Sequence, residues 1–192
     1  MRAQATAVAG STRPGTRSGR LGWRAVLALA LALPWLAAQA GVPAPYGAMV
    51  LEPAGLPERA EFDLTPALER ARRENKRLYV YLGARDCPFC RRYEAFLDKH
   101  STELLPHFQK YLFVDLRSAL SVQARALFFK VGSSSLPYAE FQRSIGDERA
   151  RMLVYPSVWL FDGSMKPLMQ MPAGTGTFQT VPEQVEILQL VQ

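Results

Sequence analysis

The sequence predicts an α/β domain, a central mixed sheet flanked by helices, on three observations. Leu78-Tyr79-Val80-Tyr81-Leu82 and Tyr111-Leu112-Phe113-Val114-Asp115 are short apolar runs with helical sequence between them, the pattern of a parallel βαβ unit. Ser157-Val158-Trp159-Leu160-Phe161 and Leu168-Met169-Gln170-Met171 flank Asp162-Gly163, a turn signal that makes them an antiparallel hairpin. Thr180-Val181-Pro182-Glu183 has capping-box spacing and launches a closing helix carrying Val185, Leu188 and Val191.

Taken in order, residues 1–40 read as a secretory signal. Arg2, Arg13, Arg17, Arg20 and Arg24 precede an almost wholly apolar stretch, 25–40, that ends in Ala38-Gln39-Ala40, so cleavage is expected before Gly41. That stretch is 16 residues long and broken by Pro34, short of the roughly 20 that span a bilayer. No stable membrane anchor is therefore expected after removal of the signal. In a bacterium the compartment reached is the periplasm, where disulfides persist.

Residues 41–60 are proline-rich without helical or strand period and read as an extended leader, with the folded domain covering 61–192. Thr65-Pro66 opens a helix to about Asn75 with Leu68 and Ala71 inward. The strand at 78–82 is expected to end at Gly83, the next helix to run from Cys87 to about Asp98, and a further helical piece to cover Thr102 to Gln109. Forty residues separate Asp115 from Pro156, more than one connecting helix needs. Within this insertion, about 117–152, Ser121 to Val131 reads as helix ended by Gly132, Ser133-Ser134-Ser135 as a flexible break, and Tyr138 to Arg151 as mixed helix and loop. The insertion is either a cover over neighbouring chemistry or a surface elaboration.

The formal charge of +6 does not mark a nucleic-acid binder: five of the 23 basic residues lie in 1–40, leaving 18 against 17 acidic ones in the rest. The chemistry points instead to Cys87 and Cys90, the only two cysteines. A disulfide between such near neighbours closes a tiny loop and stabilises little, so a reactive pair is the better reading. Pro88 fits the first helical turn, leaving the Cys87 sulfur facing the free N–H groups of the helix start, a position that favours thiolate. Cys90, one turn further in, is the more buried thiol and the one that attacks a mixed disulfide formed at Cys87.

Cys87-Pro88-Phe89-Cys90, followed by Tyr155-Pro156-Ser157 at the start of a hairpin, resembles the thioredoxin superfamily over residues 61–192. The resemblance implies a cis Tyr155–Pro156 bond lying against the cysteine pair, with the backbone beside it able to pair with a substrate chain; a trans proline opening an edge strand is the alternative. Cys90-Arg91-Arg92-Tyr93-Glu94 and Phe108 to Asp115 resemble exported thioredoxin-like proteins and the C-terminal domain of membrane thiol:disulfide interchange reductases. There an acid four residues after the second cysteine influences its proton transfer, and Glu94 holds that place; a solvated helix glutamate paired with Arg91 is the alternative. Two departures stand out: Tyr81 occupies the position of a buried acid frequent in such reductases, and Asp86 replaces the usual tryptophan. The resemblance implies protein dithiol or disulfide substrates, a membrane thiol:disulfide reductase as possible electron donor, and no cofactor.

Rival chemistry finds less support. Arg91 stands where haem attachment needs histidine, and His100 and His107 are too distant to complete a zinc set. A periplasmic copper(I)-handling or protein-binding module on the same fold is the alternative, since Met165, Met169 and Met171 could join the two thiols as soft ligands.

Overall fold

The middle of the main sheet is β3 (Arg77–Ala84), whose residues from Leu78 to Ala84 are all buried. It pairs parallel with β4 (Tyr111–Ser118), Leu78 opposite Leu112 and Tyr81 opposite Asp115, and antiparallel with β7 (Ser157–Phe161). Beyond β7 lies β8 (Pro167–Gln170), and β1 (Met49–Leu51) pairs parallel along β4, giving the order β1-β4-β3-β7-β8. The computed structural model describes residues 41–55, 58–146, 152–170 and 180–190. The expected signal, with Met171 and Val191, lies outside them.

The helices follow from local signals. In α1 (Thr65–Arg73), Ala67, Leu68 and Ala71 are buried, and Asp63 accepts the Thr65 N–H at 2.9 Å, so the acid two residues upstream caps the helix in place of Thr65 itself. Cys87 is the N-cap of α2 (Pro88–Lys99), with Pro88 in the first turn. α3 (Ser101–Phe108) leads into β4, and α5 (Val181–Leu190) begins at the expected box, where Thr180 and Glu183 exchange side-chain to backbone hydrogen bonds at 3.2 and 3.4 Å. Tyr79, Phe108, Tyr111 and Phe113 stack beneath α3.

Four expectations are corrected, the last of them at Gly83. The segment 41–60 is not a structureless leader: besides β1 it supplies the first residue of β2 (Ala60–Asp63). Ser121 to Val131 is not a helix. Only Ala124–Ala126 forms a 3-10 turn, and β5 (Leu127–Val131) follows, with Leu127 and Phe129 inward. The serine stretch is no flexible break, since Gly132 (φ +60°) and Ser133 turn the chain into β6 (Ser134–Pro137). These strands and β2 form a second sheet, β2-β5-β6, and α4 (Tyr138–Ser144) is the helical part of the insertion. The insertion packs by Phe129 on Trp159 and Phe141 on Phe161, thus onto the face of β7 opposite α2.

Gly83 does not terminate β3, which continues to Ala84. A Cβ at Gly83 would lie 2.7 to 2.9 Å from the ring and hydroxyl of Tyr81. Residues i and i+2 of a strand share a face, and here glycine leaves the room that the phenol fills.

The order β1-β4-β3-β7-β8, with α2 leaving the carboxyl end of β3 and an antiparallel β7-β8 pair behind a proline, is the thioredoxin fold. The second sheet and α4 are added to it.

Candidate active site around Cys87 and Cys90

The cysteine turn sits where β3 delivers the chain to α2, the end of a parallel strand where open α/β sheets place their chemistry. Both thiols are free. The Cys90 N–H donates to Cys87 Sγ at 3.2 Å, so one of the free amide groups in the first turn of the helix is spent on that sulfur. On its other side Cys87 Sγ faces the Tyr155 carbonyl at 3.8 Å, and the Tyr155–Pro156 bond is cis. Pro156 is half-buried beside the pair. The expected sites Cys87, Cys90, Pro88, Tyr155 and Pro156 are thus brought together.

One expectation fails. A first thiol at a helix start reads as an accessible sulfur, yet Cys87 is 1 % exposed, almost as deep as Cys90. Its surroundings are tied down by three contacts: Asp86 Oδ1 accepts the Leu120 N–H at 2.8 Å, Arg85 N–H donates to Ser118 O at 3.1 Å, and the Ser118 and Tyr155 hydroxyls meet at 2.8 Å. The loop leaving β4 is therefore stitched to the cysteine turn. Burial, ahead of any neighbour, raises the Tyr155 hydroxyl to about 12, so it stays a neutral donor or acceptor at physiological pH. Phe89 and Leu120 are exposed apolar side chains on either side of this stitch.

Cys90 is fully buried and accepts the Ala84 N–H at 3.4 Å. Burial first, and then the hydrogen bond with the Cys87 thiol, pushes its proton affinity up; the Ala84 amide and the Tyr81 hydroxyl oppose this. A thiol held protonated in this way needs an acceptor before it can act as a nucleophile.

Glu94 and Tyr81 supply one. The Tyr81 hydroxyl donates to Glu94 Oε1 at 2.9 Å and lies near enough to the Cys90 thiol to lower its proton affinity. Glu94 is half-buried near the Gly41 backbone, with no pairing to Arg91, whose guanidinium instead donates to Arg85 O. Burial, followed by the negative charge of Asp115, raises its pKa against the pull of the Gly41 backbone, the Tyr81 hydroxyl and Arg117. For Tyr81, burial and then the neighbouring Cys90 and Glu94 hold the phenol proton firmly on. Tyr81 is the residue that motif reasoning undervalued. Its position read as a missing acid, whereas an aromatic residue two places before a strand glycine was the available signal.

Met165 and Met169 do not join this site. Phe161 pairs with Leu78, so the β7-β8 turn holding Met165 lies at the opposite end of β3 from Ala84, on the order of 20 Å away at about 3.3 Å per residue. Met165 and Met169 instead pack against the core. Among the described residues no cluster of three or more His, Cys, Asp or Glu side chains forms a metal site.

No protein-family profile and no curated protein matches the chain. Solved structures do. A thioredoxin-fold protein from Helicobacter pylori is 16 % identical over 60 % of this chain and 81 % of its own, with TM-score 0.35. The first two thioredoxin domains of Saccharomyces cerevisiae Eps1p match at 13 % identity over 72 % of this chain and 41 % of theirs, TM-score 0.34. The exposed lipoprotein thioredoxin of Streptococcus pneumoniae matches at 14 % over 64 % and 88 %, TM-score 0.34.

Proposed function

We propose that the protein is an exported thiol-disulfide oxidoreductase working through Cys87 and Cys90 on protein substrates. The observation that carries the reading is the Cys87 sulfur held at the start of α2, with the Cys90 amide on one side and the Tyr155 carbonyl on the other. The Cys87 thiolate attacks a substrate disulfide; that S–S bond breaks, one substrate sulfur leaves as thiolate, and a mixed disulfide forms. Cys90, its proton passed to the Tyr81 oxygen while the Tyr81 proton moves to Glu94, then attacks the Cys87 sulfur. The second substrate thiolate leaves and the Cys87–Cys90 disulfide remains, two electrons having passed to the substrate. Because Cys87 is covered, attack includes displacement of the Ser118–Leu120 stitch by the incoming chain.

Reduction or isomerase support, rather than primary oxidation, is the direction consistent with the family resemblance, with a membrane thiol:disulfide reductase as donor and the periplasm as compartment. A reduction potential near the roughly −270 mV of thioredoxin supports this direction, and one near about −120 mV overturns it. The activity itself is tested with Cys90→Ala: a mixed disulfide to Cys87 trapped on a disulfide-containing protein supports the reading. Absence of any adduct, together with no insulin reduction by the wild type, removes it.

A further inference from the structure

Gly41 and Val42 bring their backbone up to two carboxylates. The Val42 N–H donates to Asp115 Oδ2 at 3.2 Å, and the Gly41 backbone next to it lies near enough to Glu94 to pull its pKa down. Asp115 is 1 % exposed and paired with Arg117 Nε at 3.0 Å, yet its Oδ1 has no hydrogen-bond partner. A buried carboxylate oxygen without a donor is costly and points to a missing one. The Arg117 guanidinium closes over Gly41, where a Cβ would meet Nη2 at 2.5 Å. One guanidinium thus serves two carboxylates, and the site is a cation and a donor short at the backbone nitrogen of residue 41. The small-residue pattern Ala38-Gln39-Ala40, read without any structure, places signal cleavage at that same nitrogen.

We propose that this pocket is the seat of the chain's own amino terminus. Hydrolysis of the Ala40–Gly41 bond by a signal peptidase adds the hydroxyl of water to Ala40 and a hydrogen to the Gly41 nitrogen, which takes up a further proton as an ammonium. That ammonium pairs with Glu94 and supplies the donor that Asp115 Oδ1 lacks. The charged and titratable groups facing it are Glu94 from α2, Asp115 and Arg117 from β4, and Tyr81 from β3. The same ammonium holds Glu94 ionised, the form that accepts a proton from Cys90; this consequence rests on the thiol reading, whereas the pocket itself does not.

The test is to export the full chain with its own leader, determine the first residue by mass spectrometry, and follow acylation of the terminal amine against pH. The expected chain begins at Gly41. Its amine titrates at least about one unit above the ordinary 7.7–8.0 of an α-amino group, a tenfold slower acylation at pH 7, and Glu94→Gln and Asp115→Asn each bring it back. If Asp115→Asn does not fold, Glu94→Gln alone decides. A chain beginning elsewhere, an amine titrating in the ordinary range, or a raised value that Glu94→Gln leaves unchanged overturns the proposal.

Discussion

Tyr81 donates a hydrogen bond from its hydroxyl to Glu94 Oε1 across 2.9 Å while its ring lies where a side chain on Gly83 would be. The strand therefore delivers a neutral phenol to the position between a buried thiol and a half-buried carboxylate. A carboxylate directly under Cys90 would accept a proton in one step; here the phenol must lose one proton as it gains another.

The first prediction concerns that transfer. Tyr81→Phe keeps the ring and removes the hydroxyl, so Cys90 loses its route to Glu94. Resolution of the mixed disulfide, followed by stopped-flow release of the second substrate thiol, should slow by about 100-fold at pH 7. The rate should recover as pH rises, because hydroxide then takes the Cys90 proton directly. A variant with the wild-type rate and the wild-type pH profile excludes the relay.

Gly83→Ala tests the packing that makes the relay possible. The new methyl group meets Tyr81 at 2.7 Å, inside van der Waals contact, so overpacking should cost about 1–3 kcal/mol in urea unfolding. Tyr81→Leu in the same chain removes the atoms it strikes. The two changes should then be non-additive by more than about 0.5 kcal/mol; simple additivity would place the strain elsewhere.

How much of this was legible in the sequence depends on where each signal resides. β3, α2 and the closing helix carry their own information: a contiguous apolar run, a proline after a capping cysteine, and a capping box. β1 has three residues and owes its existence to β4, Met49 lying opposite Val114, a pairing no local window contains. Leu127-Phe128-Phe129 is a short apolar run without alternation of its own, Ala124 and Leu127 together suit a helix as well, and β2 decides the matter from over sixty residues away. The cysteine pair and its proline were readable because the chemistry is in the residue types. The closure of Cys87 was not, because Asp86, Ser118 and Leu120 meet only in the fold.

In the chain that retains its leader, where the Gly41 nitrogen is an uncharged amide, Glu94 gives a pH dependence with a definite sign. Burial raises its pKa above the unfolded value, so between the two values the native chain keeps a proton that the unfolded chain releases. Stability from this group falls as pH rises through that window and stays low above it. Glu94→Gln removes the titration. The difference in urea midpoint, variant minus wild type, should therefore grow from just below the ordinary glutamate pKa towards neutrality. A difference that is constant with pH shows that Glu94 does not titrate abnormally.

The burial of Cys87 yields the last prediction. The turn that carries it is tied to the loop 118–120, which the side chain of Asp86 holds by the Leu120 amide at 2.8 Å. Asp86 itself is exposed, so its removal sacrifices one hydrogen bond worth about 1 kcal/mol and no core packing. Asp86→Ala should leave the fold intact and increase the opening population of the loop by roughly fivefold, the factor that 1 kcal/mol corresponds to at 25 °C. Alkylation of Cys87 by iodoacetamide, measured by mass spectrometry in a Cys90→Ala background, should accelerate by that factor. Restoring the acceptor with Asp86→Asn should return it most of the way, which separates loop tethering from the loss of a negative charge beside the thiol. An Asp86→Asn variant as fast as Asp86→Ala would show that charge, not the tether, governs access to the sulfur.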